Sequence, residues 1–453
     1  MLNHLLSTLP DVIWPALPSS RAAGLLAVLF QLEQSQWLSP DELRTHQLSQ
    51  LNRVIEYASR EIPFYKDRLR GIDSVANLDD WLQLPLLTRR DIQHAGQAMY
   101  SSALPDGHGA IRTSMTGGST NQPVVTLATG LTDFFWHALT IRDHLWHKRD
   151  LRQSFAAIRY TGKNDALLPM GAMDSNWGAA TRGVCETGPA HLLNIRSTIE
   201  EQATWLARIN PGYILSYPSV LRAIAEKCAP EVRRLTNLKE LRTFGEILEP
   251  QCRAICEQAF GVKVVDMYSS EEVGYIALQC PDHLHYHVQA ENLLVEVVRD
   301  DGNPCAPGEI GRVVVSTLHN FAMPLVRYDI GDYAEVGEPC PCGRGLPVLK
   351  RILGRQRNLL VMPSGERVWP LFNAGERPEE LPPFYQFQVV QRTREQLEIN
   401  VVRHAPLTTA EEETVVRYMR QSLGYPFEIS IHCVDTIQRS PTGKFEDFIS
   451  HAE

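Results

Sequence analysis

The stretch Thr116-Gly117-Gly118-Ser119-Thr120-Asn121-Gln122-Pro123 sets two glycines before two hydroxyl side chains and a terminating proline. Backbone N–H groups converge on an anion in turns that glycine adopts without strain, and phosphate oxygens approach a backbone only where no Cβ intervenes. Such a loop can wrap a polyphosphate. It is not a Walker A loop, because no Gly-Lys-[Ser/Thr] ending follows; a solvated turn would have the same composition. A second group is Cys280-Pro-Asp-His283-Leu-His285-Tyr-His287, with Cys340-Pro-Cys342-Gly far downstream. These soft donors could close a tetrahedral Zn²⁺ site, with three histidines competing for one position, or be reduced thiols beside surface histidines. A third is Lys444 in Ser440-Pro-Thr-Gly-Lys444. A lysine on a glycine-containing loop can reach into a cleft, where its compact charge suits an oxygen gaining negative charge.

These residues need a scaffold. Ser39-Pro-Asp-Glu42 reads as a capping box with proline at the first helical position, and Leu48, Leu51, Ile55 and Ala58 follow at helical spacing. The first hundred or so residues are therefore expected to be helical. From about residue 110, short β-branched runs alternate with helical segments: 235–243, then 250–260, then 262–266. A mixed α/β core follows. Leu293–Val298 and Gly311–Ser316 are bounded by turns and predict an antiparallel pair. The pattern restarts near Gly354-Arg355. Strands are expected over 387–391, 397–402 and 427–434, with a helix over 408–422, which gives a small C-terminal α/β domain of about 100 residues.

The 453 residues exceed what one core usually holds, and 43% hydrophobic with 21% charged residues is ordinary for a globular protein. A formal charge of −9 argues against a nucleic-acid surface. The longest apolar stretch, 22–30, is too short to span a membrane and runs into Gln31-Leu-Glu33, so an amphipathic helix and a cytoplasmic location are expected. Nine cysteines form no regular framework; Cys185, Cys228, Cys252, Cys256 and Cys433 read as buried thiols, and Cys305 stands alone.

Taken in order, the segments resemble the adenylate-forming (acyl-activating) superfamily, and most closely its phenylacetate-CoA ligase-like branch. Residues 116–123 resemble the family's phosphate loop, with Asn121 where glycine is usual and Gln122 where lysine is common. Phe244-Gly245-Glu246-Ile-Leu-Glu-Pro250 resembles the segment lining the adenine pocket. Asp266-Met-Tyr268-Ser269-Ser-Glu-Glu272 resembles the Tyr-Gly-x-[Ser/Thr]-Glu motif, which implies that Tyr268 stacks on adenine and Glu272 helps hold Mg²⁺; Ser269 replaces the usual glycine. Read alone, Glu271-Glu272 would also suit a helix N-terminus. Pro324-Leu-Val-Arg-Tyr-Asp-Ile-Gly-Asp332 resembles a run whose last aspartate binds both ribose hydroxyls, a task suited to two lone-pair-rich oxygens. Gly354-Arg355 resembles the hinge into the C-terminal domain, with Arg357 replacing an acid, and Ser440–Lys444 resembles the loop carrying the catalytic lysine.

The resemblance implies a large N-terminal mixed α/β domain over 1–354 and a small mobile α/β domain over 355–453. It implies a two-step reaction in which a carboxylate attacks ATP with Mg²⁺, pyrophosphate leaves, and the acyl-adenylate passes its acyl group to coenzyme A. An amine or a carrier thiol would be alternative acceptors, and a zinc-stabilised nucleotide-binding protein without catalysis is the rival reading. It further implies Zn²⁺ held by Cys280, His287, Cys340 and Cys342 as a structural tie, and leaves room for a homodimer. Phe134-Phe135-Trp136 resembles the segment shaping the aryl pocket of phenylacetate-CoA ligases, which points to an aromatic acid; an aromatic run also suits a helix core.

Overall fold

Capping explains where the first long helix begins. Ser39 accepts from the Glu42 N–H while Glu42 reaches back to the Ser39 N–H, and the helix Pro40–Glu61 follows with Leu51, Val54, Ile55 and Ala58 buried. Ser20–Ser35 precedes it as an amphipathic helix burying Ala22, Leu25, Leu29 and Leu32. The computed structural model describes residues 5–452 except 73, 116–123, 163, 356–357, 369, 371–380, 383, 385, 404 and 441–443. Among the described residues, no helix is long and apolar enough to cross a membrane.

The chain forms two compact units. The first comprises 1–153, 174–190 and 267–353, and the second 154–173, 191–266 and 354–453. In the first, Leu293–Val298, Ile310–Thr317 and Tyr328–Val336 pair antiparallel in sequence, confirming the expected hairpin. Gly274–Gln279 pairs antiparallel with Tyr286–Val288. The helix Gly130–Trp146 starts at a second capping box, Thr129 with Thr132.

In the second unit the alternation read from sequence becomes a parallel sheet. Phe155–Arg159, Tyr213–Ser216, Glu240–Thr243 and the first half of Lys263–Ser270 run side by side. Helices Ile199–Ile209, Pro218–Lys227 and Pro250–Phe260 contribute Trp205, Leu206, Val220, Leu221, Cys252 and Cys256 to its core. Parallel strands buried on both faces read as near-continuous apolar runs, which is the pattern here. A separate core gathers Val389, Leu397, Ile399, Val401, Val415, Met419 and Phe448. This is the small C-terminal α/β domain, in which Gln386–Gln391 pairs antiparallel with Gln396–Val402, Glu428–Cys433 and Phe448–Ser450 flank them in parallel, and the helix Thr409–Leu423 starts at the Thr408 capping box.

Cys185, Cys228, Cys252 and Cys256 are buried as expected, whereas Cys433 is exposed. Its strand lies at an edge of the C-terminal sheet, with one neighbouring strand among the described residues.

One buried ion pair fixes the approach to Asp332. Arg327 Nη2 donates to Glu296 Oε1 at 2.9 Å, and Arg327 Nη1 donates to the carbonyls of Leu82 and Leu84 at 2.7 and 2.6 Å. Trp81 Nε1 donates to Glu296 Oε2 at 2.9 Å. Burial raises the Glu296 carboxyl above its ordinary range, and Arg327 and Trp81 offset only part of that. Removing one partner of such a pair costs far more than the intact pair contributes. Arg327→Met is expected to destabilise the protein by about 3 kcal/mol, checked by urea unfolding of variant and parent.

Candidate functional site

The strand Lys263–Ser270 carries Asp266, Tyr268 and Ser269 and ends in a turn at residues 271–273, after which Gly274–Gln279 returns antiparallel. Glu271 and Glu272 thus sit in a β-turn, not at a helix N-terminus. The backbone reverses within three residues because Gly274 takes φ 77°, which L side chains rarely adopt. Glu272 is buried, whereas Glu271 is exposed and accepts from Ser114 Oγ at 3.3 Å. Ser114 lies on the strand Ile111–Met115, which leads into the Gly117-Gly118 loop. That loop, with Thr116, Ser119 and Thr120, falls outside the described residues.

Tyr268 and Asp332 come from motifs 64 residues apart, and the Tyr268 hydroxyl donates to Asp332 Oδ2 at 2.7 Å. Gly331, at φ 83°, lies just before Asp332 in the strand Tyr328–Val336, where its register with Ile310–Thr317 shifts, and its N–H donates to Asp329 Oδ1 at 3.0 Å. Asp329 Oδ2 in turn accepts from Arg312 Nη1 at 2.8 Å. The half-buried Asp332 is therefore supported on both sides.

The aromatic run lies on the helix Gly130–Trp146. Phe135 stacks on His319, with centroids 3.9 Å apart and planes 2° from parallel. Trp136 stacks on Tyr275 at 4.1 Å and stays 39% exposed, covering Gly274. Of the two residues expected to shape an acyl pocket, Phe135 is engaged in packing and Trp136 presents a surface.

The sulfur and imidazole donors also gather in the first unit. Ligand atoms of Cys280, His285, His287 and Cys340 all lie within 4.8 Å of one another, and Cys342 forms a second group with Cys280 and Asp282. Cys280 and Cys340 sulfurs are 3.8 Å apart, Cys342 Sγ is 3.4 Å from His287 Nε2, and His285 Nε2 is 2.9 Å from Cys340 Sγ. The four-donor group thus holds His285 where Cys342 was expected, while Cys342 lies in the second group and 3.4 Å from His287. Burial depresses His287 to about 3, aided by His285 and Arg344, so its ring is neutral as ligation requires. Burial pushes the Cys340 thiol up to about 12. It would raise Cys342 too, but the Arg344 N–H and Cys340 outweigh it and lower that thiol. Arg344 anchors the loop: Nε donates to Gln36 Oε1 at 2.8 Å, and the guanidinium lies over Trp37 and Trp146. The donor chemistry fits a soft divalent ion.

In the second unit, Gly245 and Glu246 lie just beyond the carboxyl end of the parallel strand Glu240–Thr243, where open α/β sheets bind ligands. On the neighbouring strand, Asp266 Oδ1 accepts from Thr243 Oγ1 at 2.5 Å. Gly245 takes φ 75°, and a Cβ there would meet Tyr217 at 3.3 Å and Cε of Lys444 at 3.4 Å. The structure therefore brings the lysine onto the segment resembling the adenine pocket. Glu246 Oε1 accepts from the Phe445 N–H and Arg439 Nη1, and Oε2 from the Ser219 N–H. Ser219 and Arg439 carry no sequence signal that would single them out. Arg355 is half-buried, and its N–H donates to Asn358 Oδ1 at 3.0 Å; Arg357 lies outside the described residues.

A family model described as the CapK C-terminal domain matches residues 383–451. The chain is similar to a phenylacetate-coenzyme A ligase of Thermus thermophilus, 29% identical and covering 74% of each protein. It is also similar to one of Escherichia coli, 24% identical over 84% of this chain and 88% of that one. Among solved structures, a 2-hydroxyisobutyryl-CoA ligase in complex with R3-HIB-AMP superposes with a TM-score of 0.72 at 19% identity, covering 92% of this chain and 91% of that one. An anthranilate CoA ligase in complex with anthranoyl-AMP gives 0.54 at 16% identity, covering 74% and 65%. The fold is that of the adenylate-forming ligases.

Tyr268→Phe removes the hydroxyl from Asp332. A loss of about 1.5 kcal/mol is expected, since the bond is made to a charged but half-exposed acceptor; thermal unfolding of the two proteins measures it.

Proposed function

We infer that this chain, a relative of the phenylacetate-CoA ligases built on the adenylate-forming fold, activates a carboxylic acid with ATP and passes the acyl group to coenzyme A. The hydrogen bond between Tyr268 and Asp332 carries the reading, because it joins in space the two segments that the resemblance assigns to adenosine. Carboxylate and triphosphate repel each other, so the chemical need is charge neutralisation and alignment rather than a protein nucleophile.

On this reading Asp332 accepts from the ribose hydroxyls, Tyr268 and Gly245 bound the adenine, and the 116–120 loop wraps the phosphates. Glu272 would hold Mg²⁺, which offsets phosphate charge. Lys444 stabilises the oxygen that gains charge as the carboxylate attacks the α-phosphorus. The segment after Arg355 is the proposed hinge of the small domain, and Trp136, stacked on Tyr275, is the candidate wall for an aromatic acid. Cys280, His287, Cys340 and Cys342, with His285 beside them, would hold Zn²⁺ as a structural tie between the 280–287 and 340–345 segments.

Three measurements test this. Pyrophosphate release across a panel of carboxylic acids should depend on both ATP and one class of acid; ATP binding with no acid-dependent release would favour a nucleotide-binding protein without turnover. Lys444→Ala should keep ATP affinity and lose adenylation by about a hundredfold or more, as removal of one charge-stabilising donor does. The purified protein should contain about one zinc per chain, and Cys340→Ser should lower both metal content and melting temperature; a zinc-free protein of equal stability would reject the tie.

A further inference from the structure

Residues on either side of Lys444 bond to one carboxylate. Glu246 Oε1 accepts from Arg439 Nη1 at 3.2 Å, on one side of Lys444, and from the Phe445 N–H at 2.5 Å, on the other. Arg439 Nη1 also donates to Ser219 Oγ at 2.8 Å, while the Ser219 N–H donates to Glu246 Oε2 at 3.1 Å. Ser440 and Lys444 also bond to each other: the Ser440 N–H donates to the Lys444 carbonyl at 2.8 Å, and Ser440 Oγ accepts from the Lys444 N–H at 3.1 Å. The Glu246 side chain is only 5% exposed.

This geometry has a consequence for where Lys444 can go. A buried carboxylate is costly unless its donors stay in place. Two of the donors to Glu246 belong to the 439–445 segment, and Phe445 is the residue next to Lys444. We propose that Glu246 and Arg439 form a latch that seats Lys444 against Gly245, so that Arg439 is a positioning residue for adenylation, acting through Lys444. The proposal rests on the function inferred above. Burial raises the Glu246 carboxyl, and of the groups opposing it Arg439 is the largest, with Ser219 and Phe445 adding to it. Arg439 also places its guanidinium 5.8 Å from the Phe445 ring, adding a contact across the lysine.

The test uses Arg439→Met and Arg439→Lys in the full chain, with Lys444→Ala alongside. Arg439→Met should lower kcat for acid-dependent pyrophosphate release about tenfold or more, as loss of a charge-assisted bond implies. The KM for ATP should stay within about twofold, and thioester formation from supplied acyl-adenylate should be unchanged. Arg439→Lys, which keeps the charge, should recover part of the loss. Hydrogen exchange gives a readout that needs no substrate: amides of 444–448 should exchange faster in Arg439→Met, while those of Gln396–Val402 should not change. Unaltered adenylation, an equal fall in both half-reactions, or unaltered exchange at 444–448 would overturn the latch. Normal adenylation by Lys444→Ala with altered exchange in Arg439→Met would instead reject the lysine's role and leave the latch standing.

Discussion

The bond from the Tyr268 hydroxyl to Asp332 is the constraint on which the site depends. It joins the end of the strand Lys263–Ser270 to Asp332, which lies more than sixty residues later within the strand Tyr328–Val336. Neither partner is positioned by its own element alone. Asp332 follows a glycine in the left-handed region, and the run leading to it is held by Arg327, itself buried against Glu296 and three backbone or indole partners of that pair. Tyr268 precedes a turn that Gly274 allows to reverse within three residues. Strain-tolerant glycines and one paired buried carboxylate together hold a phenol and an acid in hydrogen-bonding contact.

Buried carboxylates with few substitutable donors recur through the molecule. Glu291 is met by Arg142 and Ser35, Glu296 by Arg327 and Trp81, and Glu246 by Arg439, Ser219 and Phe445. Burial acts to raise each of these carboxyls; at Glu291 Arg142 wins and holds it below the ordinary range, whereas at Glu246 and Glu296 burial wins. The first arrangement is rigidly paired. The second leaves a carboxylate that is an ion only while its donors stay in place.

The elements were legible because local chemistry determines them. Ser39 and Thr408 announced their helices through capping residues, and the 293–298 and 311–316 runs announced a hairpin through their turns. The Tyr268 and Asp332 segments were legible as motifs. The latch was not: Glu246 and Arg439 lie 193 residues apart, and no period or spacing links them. Among His283, His285 and His287 the resemblance picked His287 alone, because the three stand close together in sequence and nothing in their spacing separates them. The structure brings both His285 and His287 to the thiols. The reading of Glu271-Glu272 as a helix start failed because an acidic pair fits a helix N-terminus and a β-turn equally, and only the glycine at 274 distinguishes them.

On the inferred function, a carboxylate becomes covalently joined to AMP on this protein. Incubation with ATP and a mixture of aromatic and aliphatic acids, followed by quenching and mass spectrometry of the nucleotides, detects that bond. An ion at the mass of one acyl-AMP, absent without ATP, is the predicted result. ATP recovered intact, with no acyl-AMP from any acid, would contradict it.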